Sequence, residues 1–372
     1  MKIVLKALFV TLSLLLITSY LNAEDCSRHP EYPIHSLREL KLNSNLTLCD
    51  EPVPLDNIHV REMLDREFVI SFGDKPQVVM WLKRSRRYFP YIEARLKERN
   101  LPNDLKYLAI TESALRTHAL SPKGAAGSWQ FMKGTARIYG LRVNRRFDDR
   151  FNFYKSTDAA IAYLEDLYKT FDNWVLALAA YNCGSKRVKR EIKEQEVNDY
   201  YRLNLPMETE RFVFRILSAK IILSNPDKYG FKLDKDEYYL PHEFDRVWID
   251  LPFEVHIRII AESADLLFKE IKELNPEIRG YFLPKGRHLV SIPKWSSGNF
   301  TRNLQNYLST LSKKSIIHVY KVKKGDSLTT IARRFEVSIT SLKGWNNLEG
   351  KKFVHPGQKL KIYGNTSNID GF

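Results

Sequence analysis

The chain has 372 residues, 44% hydrophobic and 28% charged, which excludes collagen-like, wholly disordered and membrane-bundle classes. Its formal net charge of +15 favours an anionic partner: nucleic acid, a membrane surface or an acidic polymer.

The first residues read as an export signal. Lys2 and Lys6 make a basic start, 7–16 an apolar core, and Leu21-Asn22-Ala23 a cleavage site, so 1–23 is expected to be a removable signal peptide. The apolar run is short for a membrane span, and no later segment is long and apolar enough to cross one. The mature chain is therefore expected in the periplasm or cell envelope, soluble or peripherally associated with wall or membrane. Export argues against nucleic acid as the partner. Cys26 lacks a lipidation triplet before it. Cys26 and Cys49 are candidates for pairing in an oxidising compartment, whereas Cys183 lies in an apolar run and reads as a small buried residue.

Residues 24–95 read as a partly helical lead-in: 24–56 is Pro-rich and loosely packed, and from about Pro54 the pattern turns helical, interrupted at Pro90. Next comes LPNDLKYLAITESALR, with Asn103 or Asp104 as helix cap. Leu105, Leu108, Glu112 and Leu115 step by three, four and three, which sets Glu112 on the apolar face. Desolvation there disfavours the charged carboxylate and raises its pKa, so Glu112 is the candidate proton donor. A Gly/Ala/Ser-rich loop follows and leaves room for a ligand. Gln130 offers an amide, and Trp129, Phe131 and Met132 offer apolar walls.

Two more helices are expected over 156–190. The first is capped by Ser156-Thr157-Asp158 and carries a stripe of Ala160, Leu164, Leu167 and Phe171. The second is capped by Asn173, buried nearly all round and stopped by Gly184. It ends in Tyr181 and Asn182, whose polar groups need partners in a sugar or the backbone. A helix from about Glu208 to Leu223 closes the unit.

The pattern of Glu112-Ser113, Ser121 to Gly127, Trp129-Gln130-Phe131-Met132, Ala180-Tyr181-Asn182 and Glu208-Thr209 resembles the lysozyme-like catalytic domain of the lytic transglycosylases. The order is kept over about 130 residues. Lys133, Cys183 and Phe212 depart from the family's usual proline, alanine and tyrosine, and none of these changes removes a proton donor. The resemblance implies a catalytic domain at 96–230 acting on peptidoglycan glycan strands without a cofactor or metal. Glu112 would protonate the oxygen between N-acetylmuramic acid and N-acetylglucosamine, then serve as base toward the muramic C6 hydroxyl. That closure gives a 1,6-anhydro end without water. Ser121, Gln130, Met132, Tyr181 and Asn182 would bind the substrate, and Glu208 would support the site. Asp148 and Asp149, in a charged RRFDDR stretch, are expected to cap or pair rather than to provide the second carboxylate of an ordinary glycosidase. Two alternatives stay open: a hydrolytic muramidase on the same fold, and a non-catalytic wall-binding protein.

The C-terminal third contains a repeat. At an offset of about 71 residues, Ile260-Ala261 aligns with Ile331-Ala332, Ile271 with Leu342, and Leu274-Asn275 with Trp345-Asn346. Residues 317–364 are similar to the LysM module, a βααβ wall-glycan binder, which implies contacts from Gly325, Asp326, Ser327, Leu328 and Asn347. The first copy, 245–294, has Glu254-Val255-His256 where the second has its first loop, and reads as a degenerate LysM-like spacer. A linker is expected at 295–316. The expected architecture is thus a mainly α lysozyme-like catalytic domain followed by small α+β (βααβ) LysM-type modules.

Overall fold

A computed structural model describes residues 45–313, 316–348 and 350–364. The expected signal peptide and Cys26 lie outside the described residues, and a compact unit runs from Thr47 onward. Cys49 is buried there.

A short hairpin of β1 (Thr47–Leu48) and β2 (Glu51–Pro52) precedes two long helices, α1 (Ile58–Gly73) and α2 (Lys75–Glu98). Both helices pack into the core. Leu64 and Phe68 of α1 are fully buried, and buried Glu67 reaches Arg211 at 2.6 Å on a later helix. Burying that carboxylate is tolerable because guanidinium groups surround it. Pro90 does not interrupt α2. Buried Trp81 and Leu82 before it, and Ile92 and Leu96 after it, hold one continuous helix against the core. Proline costs a single backbone bond here, and the packing outweighs it.

After a 3₁₀ turn at 103–105 come α3 (Lys106–Ser113), α4 (Lys133–Ile138), α5 (Phe153–Phe171), α6 (Trp174–Cys183), α7 (Ser185–Gln195) and α8 (Met207–Ser224). Every residue of α6 from Trp174 to Ala180 is buried, so this helix runs through the core and packs against α5, α7 and α8. Asn173 caps it as expected, its Oδ1 accepting from Leu176 N–H at 2.7 Å. The cap of α5 is Asn152 rather than Ser156-Thr157-Asp158, because the helix begins four residues earlier and buries Ser156 and Thr157 inside it. Asp104 does not cap α3. Its carboxylate instead accepts from the Cys49 N–H and from Lys220 Nζ, tying the first hairpin to α8.

The last third opens with β3 (Phe244–Leu251) and β4 (Val255–His256), continues through α9 (Ile257–Ser263), α10 (Phe268–Leu274) and β5 (Phe282–Leu283), and closes with β6 (Gly286–Pro293). β3 and β6 pair antiparallel from Phe244↔Pro293 to Leu251↔Gly286. Residues 295–316 are not a linker. α11 (Ser297–Lys313) spans most of that stretch and sinks Phe300 and Leu304 into the core of this unit. The second unit repeats the plan with β7 (Ile316–Lys321), α12 (Leu328–Arg334), α13 (Ile339–Trp345) and β8 (Lys359–Gly364). No helix among the described residues is long and apolar enough to cross a membrane.

Candidate active site

Glu112 lies in the last turn of α3, with Leu105, Leu108 and Leu115 buried along the same face. The helix ends abruptly. Ala114 and Leu115 both adopt left-handed backbone, φ 54° and 59°, although neither is glycine. Such conformations cost about 1–3 kcal/mol each and persist only where surroundings impose them. Here the Ala114 and Leu115 N–H groups return to the Ile110 and Ala109 carbonyls, while Arg84 of α2 donates to the Ala114 carbonyl. Ser113 Oγ donates to the Ser128 carbonyl at 2.7 Å and joins the helix end to the loop beyond.

The Glu112 residue is half-buried, yet crowding by protein pushes its carboxyl up to about 8. Desolvation is the main cause, Arg215 of α8 opposes it, and the charge of Glu208 reinforces it. Arg215 is already engaged, with Nε 3.8 Å from Glu67 and a terminal nitrogen donating to the Glu208 carbonyl. At neutral pH Glu112 therefore holds a proton and is able to donate it.

The loop 119–132 folds back on itself through bridges Leu120↔Ala126 and Ala126↔Phe131. A cluster from the RRFDDR stretch clamps it. Fully buried Arg150 donates to the Gly124 and Phe131 carbonyls at 2.8 and 2.9 Å, and Asp148 grips its guanidinium through two bonds of 2.8 Å. Asp149 pairs with Arg142 and Lys155, which hold its carboxyl below the usual range despite burial. Both aspartates are committed to the scaffold. Gly127 meets the same stretch: a Cβ there would sit 1.8 Å from the Arg150 carbonyl oxygen, and φ is +81°. Only glycine fits.

The expected substrate-binding residues fall in different settings. Tyr181, at the end of α6, donates its phenol to the Trp129 carbonyl at 2.8 Å. Burial, together with the neighbouring Glu112 charge, raises that phenol well above its ordinary value, so it stays a donor. Asn182 accepts from buried Thr209 Oγ1 at 2.9 Å, which fixes its oxygen and leaves its NH2 without a bond among the described residues. Gln130, at φ 46°, spends its NH2 on the Gly127 and Ala119 carbonyls. Ser121 Oγ accepts from the Ala125 N–H and so shapes the turn. Met132 is 48% exposed and borders the loop, whereas Trp129 and Phe131 are buried in the core rather than lining an open wall. Sequence reasoning missed Ser113, Arg150, Arg84 and the Glu67–Arg215 pair. Apart from Asp148 beside Arg150, their partners lie 15 to more than 100 residues away, so no local pattern reveals them.

In the second repeat unit, Gly325 is exposed at φ +90°, and Asn347 is exposed at φ 51°. Asp326 is turned inward, accepting from Tyr320 Oη at 2.7 Å and from Lys323 N–H at 2.8 Å. Ser327 caps α12, and Leu328 is 5% exposed within the module's core. Leu328 therefore supports the loop from below rather than lining its surface.

Comparison with known proteins agrees with this layout. Residues 89–204 match the family described as Transglycosylase SLT domain, and 320–362 match LysM domain. The chain is 34% identical over 293 residues to membrane-bound lytic murein transglycosylase D of Escherichia coli, covering 75% of this chain and 64% of the relative. It thus spans less than two thirds of that relative's length. It is also 32% identical over 118 residues to an N-acetylmuramoyl-L-alanine amidase of Staphylococcus aureus, covering 31% of this chain and 33% of the relative. Among solved structures, the 70 kDa soluble lytic transglycosylase of Escherichia coli aligns at 18% identity and a TM-score of 0.33, over 48% of this chain and 33% of that chain. The chain is thus similar to SLT-domain proteins over residues 89–204 and to LysM domains over 320–362.

Proposed function

We propose that the protein is a peptidoglycan lytic transglycosylase that cleaves the bond between N-acetylmuramic acid and N-acetylglucosamine and leaves 1,6-anhydromuramic ends. The observation that carries this reading is the Glu112 carboxyl at the strained end of α3, pushed up to about 8 by desolvation, with both aspartate candidates locked in ion pairs. A lone acid calls for a nucleophile from the substrate itself. In the first step Glu112 gives its proton to the glycosidic oxygen as that bond breaks. In the second the carboxylate takes the proton of the muramic C6 hydroxyl while its oxygen bonds to C1. The acid ends the cycle as it began.

Tyr181 and the loop around Gln130 form the wall beside the acid, and the free NH2 of Asn182 is a donor for a sugar acetamide or hydroxyl. Ser121 and Gln130 act through loop shape, because their side chains are bonded within it. The unit at 317–364 holds glycan through its exposed loops, Gly325 to Ser327 and Asn347. The unit at 245–294 is a degenerate LysM-like module. A cell-envelope location follows from the leader-like start and the wall substrate.

Digestion of purified peptidoglycan, with the products weighed, tests the reading. Anhydro ends are expected, lighter by one water than reducing ends. Reducing ends alone would make the protein a hydrolase on the same scaffold. Activity should fall as pH rises through about 8, where Glu112 loses its proton.

A further inference from the structure

Where the chain leaves the helix that carries Glu112, residues 115–119 border a cleft of about 410 Å³, which is within the size range of ligand pockets. Arg84, Arg87 and Arg116 line it with His118, and Tyr88 and Tyr239 wall it. Its lining contains no carboxylate. Each guanidinium spends part of its fork on the backbone: Arg84 on the Ala114 carbonyl, Arg87 on Leu240, Arg116 on Ser113. Among the described residues none of the three pairs with an acid, whereas Arg95, Arg99, Arg142, Arg150 and Arg211 all do. Three unneutralised cations in one concave site repel one another, and the Arg84 pKa is lowered by desolvation and by the nearby Arg116. An anion placed between them relieves both costs. The planar forks suit a carboxylate gripped by two bonds.

The position says which anion. Arg84 and Arg116 bind the carbonyls of Ala114 and Ser113, the residues that directly follow Glu112. Arg116 stands four positions after Glu112, so their Cα atoms lie no more than about 14 Å apart. A short acidic branch on the sugar chain held at Glu112 spans that distance. Arg87, stacked 5.0 Å over Tyr239, adds an apolar shelf for the branch's aliphatic part.

We propose that this cleft is a binding site for a carboxylate of the peptide stem of peptidoglycan, so that the enzyme acts preferentially on glycan carrying stems. This rests on the function proposed above. The test uses the full chain and two substrates: glycan strands bearing stems, and the same strands with the stems removed enzymatically. Wild type should cleave the stem-bearing strands about tenfold faster, the scale of one charge-assisted bond. Arg87→Gln and Arg116→Gln should reduce that preference to within about twofold, with Arg87→Gln leaving the stripped strands cleaved at the wild-type rate. Equal rates on both substrates in wild type, or equal losses on both in Arg87→Gln, would overturn the proposal. A second arm does not depend on catalysis. Glu112→Gln protein is titrated with the free stem tripeptide, and Arg116→Gln added to that background should weaken binding about tenfold. Binding that the second substitution does not change, or that acetate matches at equal concentration, means a generic anion site and also overturns it. Failure to cleave either glycan, with tripeptide binding intact, would instead count against the proposed function.

Discussion

The two copies of the C-terminal repeat share a skeleton and differ in what covers it. In both, Ile260 and Ile331, Ala261 and Ala332, and Ile271 and Leu342 fill equivalent core positions. Asn275 and Asn346 perform one task. Each donates to a carbonyl four residues earlier in its helix and to a carbonyl of the last strand, and accepts that strand residue's N–H, Ser291 in one copy and Lys361 in the other. The first copy is then covered on two sides. α11 caps its core with Phe300 and Leu304, and Phe147 from the helical region before it inserts into the same core. Backbone bonds run from Asp148 N–H to the Glu277 carbonyl and from Arg279 N–H to the Arg146 carbonyl, and Asn152 donates to Glu277 at 2.9 Å. Glu254, which stands where the second copy has Gly325, pairs with Arg146 at 3.3 Å. The loops that stay exposed in the second copy are thus used by the first to hold residues 146–152. Arg150, at the centre of that stretch, clamps the active-site loop. One copy presents a surface, and the other has become part of the frame that holds residues 146–152.

Breaking the first copy should therefore cost far more than removing the second. Phe147→Ala should destabilise the protein by about 3–5 kcal/mol, the usual range for a buried Phe, and slow glycan cleavage in step, read by thermal unfolding and turnover. Removing residues 317–372 should leave cleavage of soluble glycan within about twofold while weakening retention on insoluble wall. Equal loss of both would erase the distinction. Asn275→Ala should cost about 1–3 kcal/mol, since it leaves buried groups of β6 unsatisfied. Asn346→Ala should cost less, because its site is partly open to water.

A smaller effect concerns the acid itself. Between pH about 4.5 and about 8 the folded protein keeps a proton on Glu112 that the unfolded chain has released, so Glu112 penalises stability increasingly as pH rises through that window. Glu112→Gln should then be more stable than wild type at pH 8, on the order of 1–3 kcal/mol, with the gain vanishing below pH about 4. Thermal melts at the two pH values measure this, and an equal shift at both would mean that the carboxyl is not perturbed.

Much of this was legible in the sequence, for reasons of range. The apolar step pattern placed Glu112 on the buried face of α3, the all-round apolar run identified α6, and the fixed offset exposed the repeat. What stayed hidden depends on distant partners. Pro90 reads as a break until the packing of Trp81 and Ile92 on one core is seen. The Ser- and Gly-containing stretch after Pro293 reads as a linker, although Phe300 and Leu304 recur at helical spacing. Asp148 reads as a residue that caps or pairs, as it does, but only the fold brings its partner Arg150 against carbonyls 19 and 26 residues away.

The most direct test of a single carboxyl serving both steps is Glu112→Gln assayed on intact peptidoglycan. The account predicts fragment release reduced by about 10²–10⁴-fold, with binding to the wall unchanged. Release at the wild-type rate would contradict it.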